Sequence, residues 1–262
     1  MKFCSLASGS SGNCLVASAG HTTVLIDAGL SGIRVQRALA DADIDPAKLS
    51  AILVTHEHRD HIHGVGVLAR RFKLPVYANA GTWQAMAPDL GKLADHQKRV
   101  FVTGQAFDIG DMEIDSFATS HDAAEPVGFT LTDGQSAMGI ATDTGTPTSA
   151  MMRALSGKAL VVLESNHDVD MLQTGPYPYP LKRRIAGDLG HLSNKTAGSV
   201  AADLVAHGTT RLILAHLSHE NNFPELAYNT AKGALREEGI TVGRDTRLAV
   251  APRSTRTELC NF

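Results

Sequence analysis

The sequence predicts an α/β protein in which two β-sheets pack face to face with helices on the outside. Three observations carry that expectation. Short apolar runs of strand length, such as Ala51-Ile52-Leu53-Val54-Thr55, recur between polar breaks. They come first mixed with helical patterns, then as a block of strands, then alternating with helices, an order that fits layered sheets. Residues able to chelate collect where those runs end, the edge at which layered folds place their sites.

Bulk composition suits that architecture. The chain has 262 residues, 43% hydrophobic and 19% charged, ample for a sizeable core. No internal repeat, low-complexity tract or linker interrupts it, so residues 1–262 are expected to form a single domain. A formal net charge of −3 exerts no global pull on nucleic acid, and a polyanionic partner would have to be held by local patches and by metal. The three cysteines are odd in number and too few for a disulfide scaffold. With no charged-then-apolar leader and no run of bilayer length, a cytoplasmic protein with reduced thiols and no membrane association is expected. Cys4 and Cys14 fall on strand patterns and read as small core residues.

In chain order, Phe3 to Ala7 and Cys14 to Ala17 read as strands joined by Ser8-Gly9-Ser10-Ser11-Gly12-Asn13. Such a loop either aims N–H groups and the hydroxyls of Ser8, Ser10 and Ser11 at a phosphate or is a plain hairpin connection. Thr23 to Ile26 forms a third strand ending at Asp27, a turn-former or a carboxylate that orients nearby ligands. Ser31 caps a helix to Ala42, and Asp45-Pro46 breaks it. Residues 51–55 are a buried strand, residues 65–73 a helix, and Leu74 to Ala78 a strand. Gly81 to Leu93 reads as one or two short helices with Pro88 at a break.

Four strands follow: Val100 to Val102, Met112 to Thr119, Val127 to Leu131 and Ala137 to Thr142. Asp108-Ile109-Gly110-Asp111 and Thr132-Asp133-Gly134 are turns between them. Thr148 to Leu155 is a helix, Ala159 to Leu163 a strand, residues 195–206 a helix and Arg211 to Ala215 a strand. A helix over residues 226–238 and a strand over 246–251 close the chain. Gly175 to Arg184 differs in character, with three prolines, two tyrosines and then three consecutive cations.

The chemistry concentrates after the strand at residues 51–55. His56-Glu57-His58-Arg59-Asp60-His61 packs four potential ligands into six positions. Three imidazoles and a carboxylate so close pack unfavourably unless a cation collects them, and that donor set suits a borderline divalent metal. His121, Asp143 and His216 stand at the ends of later strands, and the chain holds twelve histidines in all. No serine or cysteine motif marks a nucleophile.

His56-x-His58-x-Asp60-His61 with His121, Asp143, His216 and the early Asp27 resembles the metallo-β-lactamase superfamily. That resemblance implies a four-layer αβ/βα sandwich with two divalent ions, zinc or manganese with iron not excluded, at one edge. Carried over by position, His56, His58 and His121 hold the first ion, and Asp60, His61 and His216 the second. Asp143 bridges and Asp27 supports. Residues 163–168, 175–184, 190–194 and 215–222, with the opening Leu6 to Asn13, resemble the YycJ/WalJ subfamily of metal-dependent nucleases.

The subfamily implies a phosphodiester hydrolase acting on nucleic acid, DNA rather than RNA, with 5′-to-3′ exonuclease action. A metal-bridging hydroxide attacks phosphorus, and Asp60, Glu164 and His191 are the catalytic candidates. His191, oriented by Glu164, resembles the acid of tRNA 3′-processing endonucleases. Lys182, Arg183 and Arg184 contact phosphates or are a solvated helix face. Tyr177 and Tyr179 stack on a terminal base or fill an interface. His167 and His219 read as supporting or surface groups. The alternative is a small-molecule metallohydrolase: a cyclic phosphodiesterase, thioesterase or lactonase.

Overall fold

The computed structural model describes residues 1–262. Its first half runs β1 (Lys2–Ala7), β2 (Cys14–Ala19), β3 (Thr22–Ile26), α1 (Gly32–Asp41), β4 (Ala51–Leu53), α2 (Arg59–Ile62), α3 (Val65–Phe72), β5 (Val76–Asn79), α4 (Ala80–Leu90) and β6 (Lys98–Phe101). Then come β7 (Phe107–Ile109), β8 (Met112–Ala118), β9 (Val127–Thr132), β10 (Ala137–Ala141), α5 (Ser149–Leu155), β11 (Leu160–Glu164), α6 (Val169–Thr174) and α7 (Tyr179–Ala186). The chain finishes with α8 (Asn194–Ala206), β12 (Arg211–Ala215), α9 (Pro224–Glu237), β13 (Arg247–Val250) and β14 (Cys260–Asn261).

Strand periodicity sorts the core into layers. Within β1 to β3, Phe3, Leu15, Ala17, Val24 and Ile26 face inward, toward Ile114, Phe129, Leu131, Ile140 and Val162 of the second sheet. The intervening Cys4, Leu6, Val16 and Leu25 face outward, against Val35, Leu39, Leu68 and Met86 of α1, α3 and α4. The second sheet does the same, with Val161, Leu163, Leu212 and Leu214 under α8 and α9. Side chains alternate across a strand, so one apolar run feeds two cores. The result is the expected four-layer αβ/βα sandwich.

Each sheet has seven strands, ordered β14-β1-β2-β3-β4-β5-β6 and β13-β12-β11-β10-β9-β8-β7. β3 to β6 run parallel, as do β10 to β13, so their C-terminal ends gather at one edge of the sandwich. No helix is long and apolar enough to cross a membrane.

Two local expectations are corrected. Asp108 and Ile109 are not a turn: β7 pairs there with β8, and the reversal is confined to Gly110 and Asp111. Pro88 does not break α4, because it lies in the last turn and leaves only the Gln84 carbonyl without its helical donor. The helix ends at Gly91, whose φ of +69° stops it, and Arg70 donates to the Leu90 carbonyl. The proline-rich segment becomes helical as α7, with Pro180 in its first turn, where no backbone donor is needed.

Candidate metal centre

Three strands deliver their side chains through the same backbone device. Asp27 after β3, Asp143 after β10 and His216 after β12 have φ of 58°, 59° and 56°. The left-handed conformation costs a non-glycine residue about 1 kcal/mol. Here it bends each chain sharply off its strand. All three residues are buried, and they converge.

The loop from β4 into α2 supplies His56, His58, Asp60 and His61. His56, His58 and His121 place one ring nitrogen each within 4.8 Å of one another, and Asp60, His61 and His216 form a second such trio. Asp143 lies between them, Oδ2 at 3.2 Å from His61 Nε2 and Oδ1 at 3.7 Å from His121 Nε2. The structure therefore brings together all seven residues expected at the two ions.

The donor set fits divalent ions. In four imidazoles Nδ1 already has a partner: Thr55 Oγ1 for His56 at 3.1 Å, Asp27 for His61 at 2.7 Å, the Gly190 carbonyl for His121 at 3.0 Å, and Glu164 for His216 at 2.8 Å. Such partners fix the tautomer and leave the Nε2 lone pair for a metal. His56 Nε2, His216 Nε2 and Asp143 Oδ2 are buried without a hydrogen-bond partner. The 3.7 Å from His216 Nε2 to Asp60 is an ion-pair separation, too long for a hydrogen bond. His121 Nε2 and His58 Nδ1 face each other at 3.3 Å, two lone pairs that a cation would reconcile. Buried acceptors left this way are costly unless an ion collects them.

Electrostatics divide the site. Burial, with the charge of His61, holds His56 well below the ordinary histidine range, and burial also lowers His121. Burial alone would lower His216, but Asp143, Asp60 and Glu164 outweigh it and carry it up to about 10. Burial raises the Asp143 and Glu164 carboxyls, yet the surrounding imidazoles win, Asp143 falling well below its usual range and Glu164 to about 2. At His61 burial is overcome by Asp143 and Asp27, which favour the charged ring. Asn13 acts the other way. Its amide, oriented by two hydrogen bonds with Gly9, donates to His61 Nε2 at 3.1 Å and needs the lone pair there.

A family model described as the beta-lactamase superfamily domain matches residues 22–217. Over 243 residues the chain is 44% identical to exodeoxyribonuclease YycJ of Bacillus anthracis, covering 93% of this chain and 92% of that protein. The chain belongs to the metallo-β-lactamase superfamily, in its YycJ/WalJ group. Exodeoxyribonuclease WalJ of Streptococcus pneumoniae is 41% identical over 260 residues, 98% of this chain and 97% of its own. Among solved structures, the metallo-β-lactamase fold protein YhfI from Bacillus subtilis superposes with a TM-score of 0.77 at 18% identity, covering 98% of both chains. The short form of human tRNase Z gives 0.68 at 16% identity over the whole of both. At such identities these two report the fold alone.

Beside this YycJ/WalJ ligand cluster stands the expected Glu–His pair. His191 Nδ1 lies 2.8 Å from Glu164 Oε1, and its ring centroid is 5.0 Å from that of His121 and 5.3 Å from that of His216. Burial lowers the His191 pKa, and Glu164 and Asp143 more than restore it. Glu164 does more than the sequence suggested. Its Oε1 accepts from both His191 and His216, while Oε2 accepts the backbone N–H groups of Thr144 and Leu192.

Thr55 and Asn13 are site residues that sequence reasoning missed. The Thr55 hydroxyl donates to Asp27 at 2.8 Å and contacts His56. An asparagine closing a Ser/Gly loop was the available signal for Asn13. Ser8 is a correction. It is 2% exposed and its Oγ accepts the His216 N–H, so it holds a ligand's backbone and is closed to a phosphate. Ser10 and Ser11 are exposed in the same loop.

Helix α7 forms a rim leading into His191, whose N–H donates to the Ile185 carbonyl. Tyr179 is 72% exposed and Tyr177 half-buried. Lys182 donates to the Gln173 carbonyl, and Arg183 is exposed. Arg184 pairs with Asp122, next to His121. His167 is buried, which drives its pKa down to about 4, and His219 is exposed against Glu220, outside the cluster.

Proposed function

We propose that the protein is a dinuclear metal-dependent exodeoxyribonuclease, hydrolysing phosphodiester bonds from a 5′ end. The observation that carries this reading is the Glu164–His191 pair at the edge of a seven-residue ligand cluster, which would set a proton donor beside a phosphate held there. Relatives at 41% and 44% identity named exodeoxyribonucleases support it.

His56, His58 and His121 would hold one ion, Asp60, His61 and His216 the other, and Asp143 both, with zinc or manganese matching nitrogen and oxygen donors without thiolate. When bound, such ions supply a nucleophile from water near neutral pH and draw charge from the phosphate. Glu164 fixes the His191 proton on Nδ1 and favours the charged ring, leaving Nε2–H to protonate the leaving oxygen. Asp60, whose side chain is 27% exposed, and the half-buried His58 are the ligands open to substrate, and Asp60 would accept the proton released from water. Arg183 and Arg184 on α7 meet the strand's phosphates, and Tyr179 offers a face to the terminal base. The reading takes residues 1–262 as one domain working in the cytoplasm.

Purified protein of measured metal content, assayed on 5′-phosphorylated duplex DNA, single-stranded DNA, RNA and a glutathione thioester, tests this. DNA cleavage is expected, and His191→Ala should slow it about 10²- to 10⁴-fold at unchanged metal content. Cleavage of the thioester alone would remove the nuclease reading.

A further inference from the structure

The opposite pole of β12 carries a second concentration of unpaired chemistry. Arg211 opens β12 and stands directly across from Arg247 in the parallel β12–β13 register. Like charges at facing positions on neighbouring strands repel unless something of opposite sign lies between them. Neither guanidinium makes an ion pair: Asp245, the adjacent acid, is taken by Arg244 at 2.8 and 2.9 Å. Arg211 Nε is buried without a partner, and so is the Thr246 hydroxyl.

Two depressions, of about 500 and 300 Å³, share Arg211 and Arg247 as their common wall. The smaller is wholly polar and includes Thr246. The larger adds the apolar Ile213, Ala249 and Pro252, with Arg256 and Glu258 also in its wall. A concave, partly apolar site with a few convergent polar groups is the form small-ligand sites take. Five residues of extended strand, roughly 16 Å, separate Arg211 from His216, so this site is distinct from the metal centre.

We infer that this pole binds a nucleotide, its phosphate gripped between Arg211 and Arg247 and its base lying on Ile213, Ala249 and Pro252. The planar guanidinium forks match phosphate geometry, and the ligand would neutralise the facing positive charges. The nucleotide is either free or the end of a strand.

Phenylglyoxal labelling of the metal-loaded protein, read residue by residue by peptide mass spectrometry, tests the assignment. AMP at ten times its Kd should slow labelling of Arg211 and Arg247 about tenfold. Adenosine and inorganic phosphate at the same concentration should protect far less. Arg247→Gln, at an exposed side chain with no hydrogen bond, should abolish AMP protection of Arg211 while leaving the melting temperature unchanged. A 5′-phosphorylated, phosphorothioate-linked oligonucleotide separates the sources. Protection at lower concentration than AMP assigns a strand end, and the reverse assigns a free nucleotide. No protection by either, equal protection by phosphate or adenosine, or full protection of Arg211 in the Arg247→Gln variant would overturn the site.

Discussion

Replacing Glu164 by glutamine tests whether one carboxylate serves both the metal centre and the proposed proton donor. Oε1 receives two imidazole N–H groups, each at 2.8 Å, and Oε2 receives two backbone N–H groups at 2.9 and 3.2 Å. Glutamine offers one accepting oxygen and one donating amide. With the oxygen turned to the backbone, the NH₂ faces both Nδ1 atoms and drives their protons onto Nε2. His216 Nε2 then has no lone pair for a metal. With the oxygen turned to the imidazoles, the NH₂ meets two backbone donors in a fully buried site. Either way about two hydrogen bonds to a charged group are lost, each of ~1.5–3 kcal/mol. Affinity at the His216-side ion should fall about 10- to 100-fold. Competition with a chromophoric chelator measures it, resolving a weakened site from an unaffected one held by His56, His58 and His121. Equal affinity at both sites, with normal turnover, would refute the dual role.

Metal loading near pH 7 should release about one proton from His216, seen as buffer-dependent binding enthalpy, and acid should weaken the His216-side ion more than the other. In the chelated protein, His216 contributes stability that is full below its unfolded value near 6.5 and is lost as pH rises through about 10. Glu164 contributes stability present above about 4.5 and lost as pH falls through about 2, and His56, His121 and His167, held neutral by burial, add stability that fades as pH falls below about 6.5, so melting temperature should peak near pH 6.5. Gly29→Ala would set a Cβ 1.6 Å from the Asp60 carbonyl oxygen, and the collision should cost about 3 kcal/mol or more and lower occupancy by the Asp60-side ion, read by calorimetry and metal analysis. Thr55→Val removes one of the two donors to Asp27 Oδ2 and leaves His56 Nδ1 without its partner, and should cost about 1–3 kcal/mol in thermal melts.

The layers and the ligand cluster were legible because both are written locally. Alternating apolar runs mark strands buried on two faces, and chelating residues at their ends mark the edge. What the sequence hid is non-local. Nothing near Glu164 in the chain announces that it holds His216, 52 positions away, as well as His191. Ser8 looked like a phosphate ligand because a Ser/Gly loop has that composition, yet its partner is a backbone 208 positions on. Helix α7 entered only as one reading of Lys182 to Arg184, because three prolines argue against a helix when counted along a stretch although Pro180 suits a first turn. β14 is two residues long and exists only because β1 is there to pair with.

The left-handed residues after β3, β10 and β12 come from both leaves of the sandwich, so no half of the chain can assemble the centre by itself. Translation places Asp27 and the His56 loop early and His216 last. A newly made chain therefore holds the His56, His58 and His121 trio once β8 is in place, but completes the ligand set only when β12 has docked.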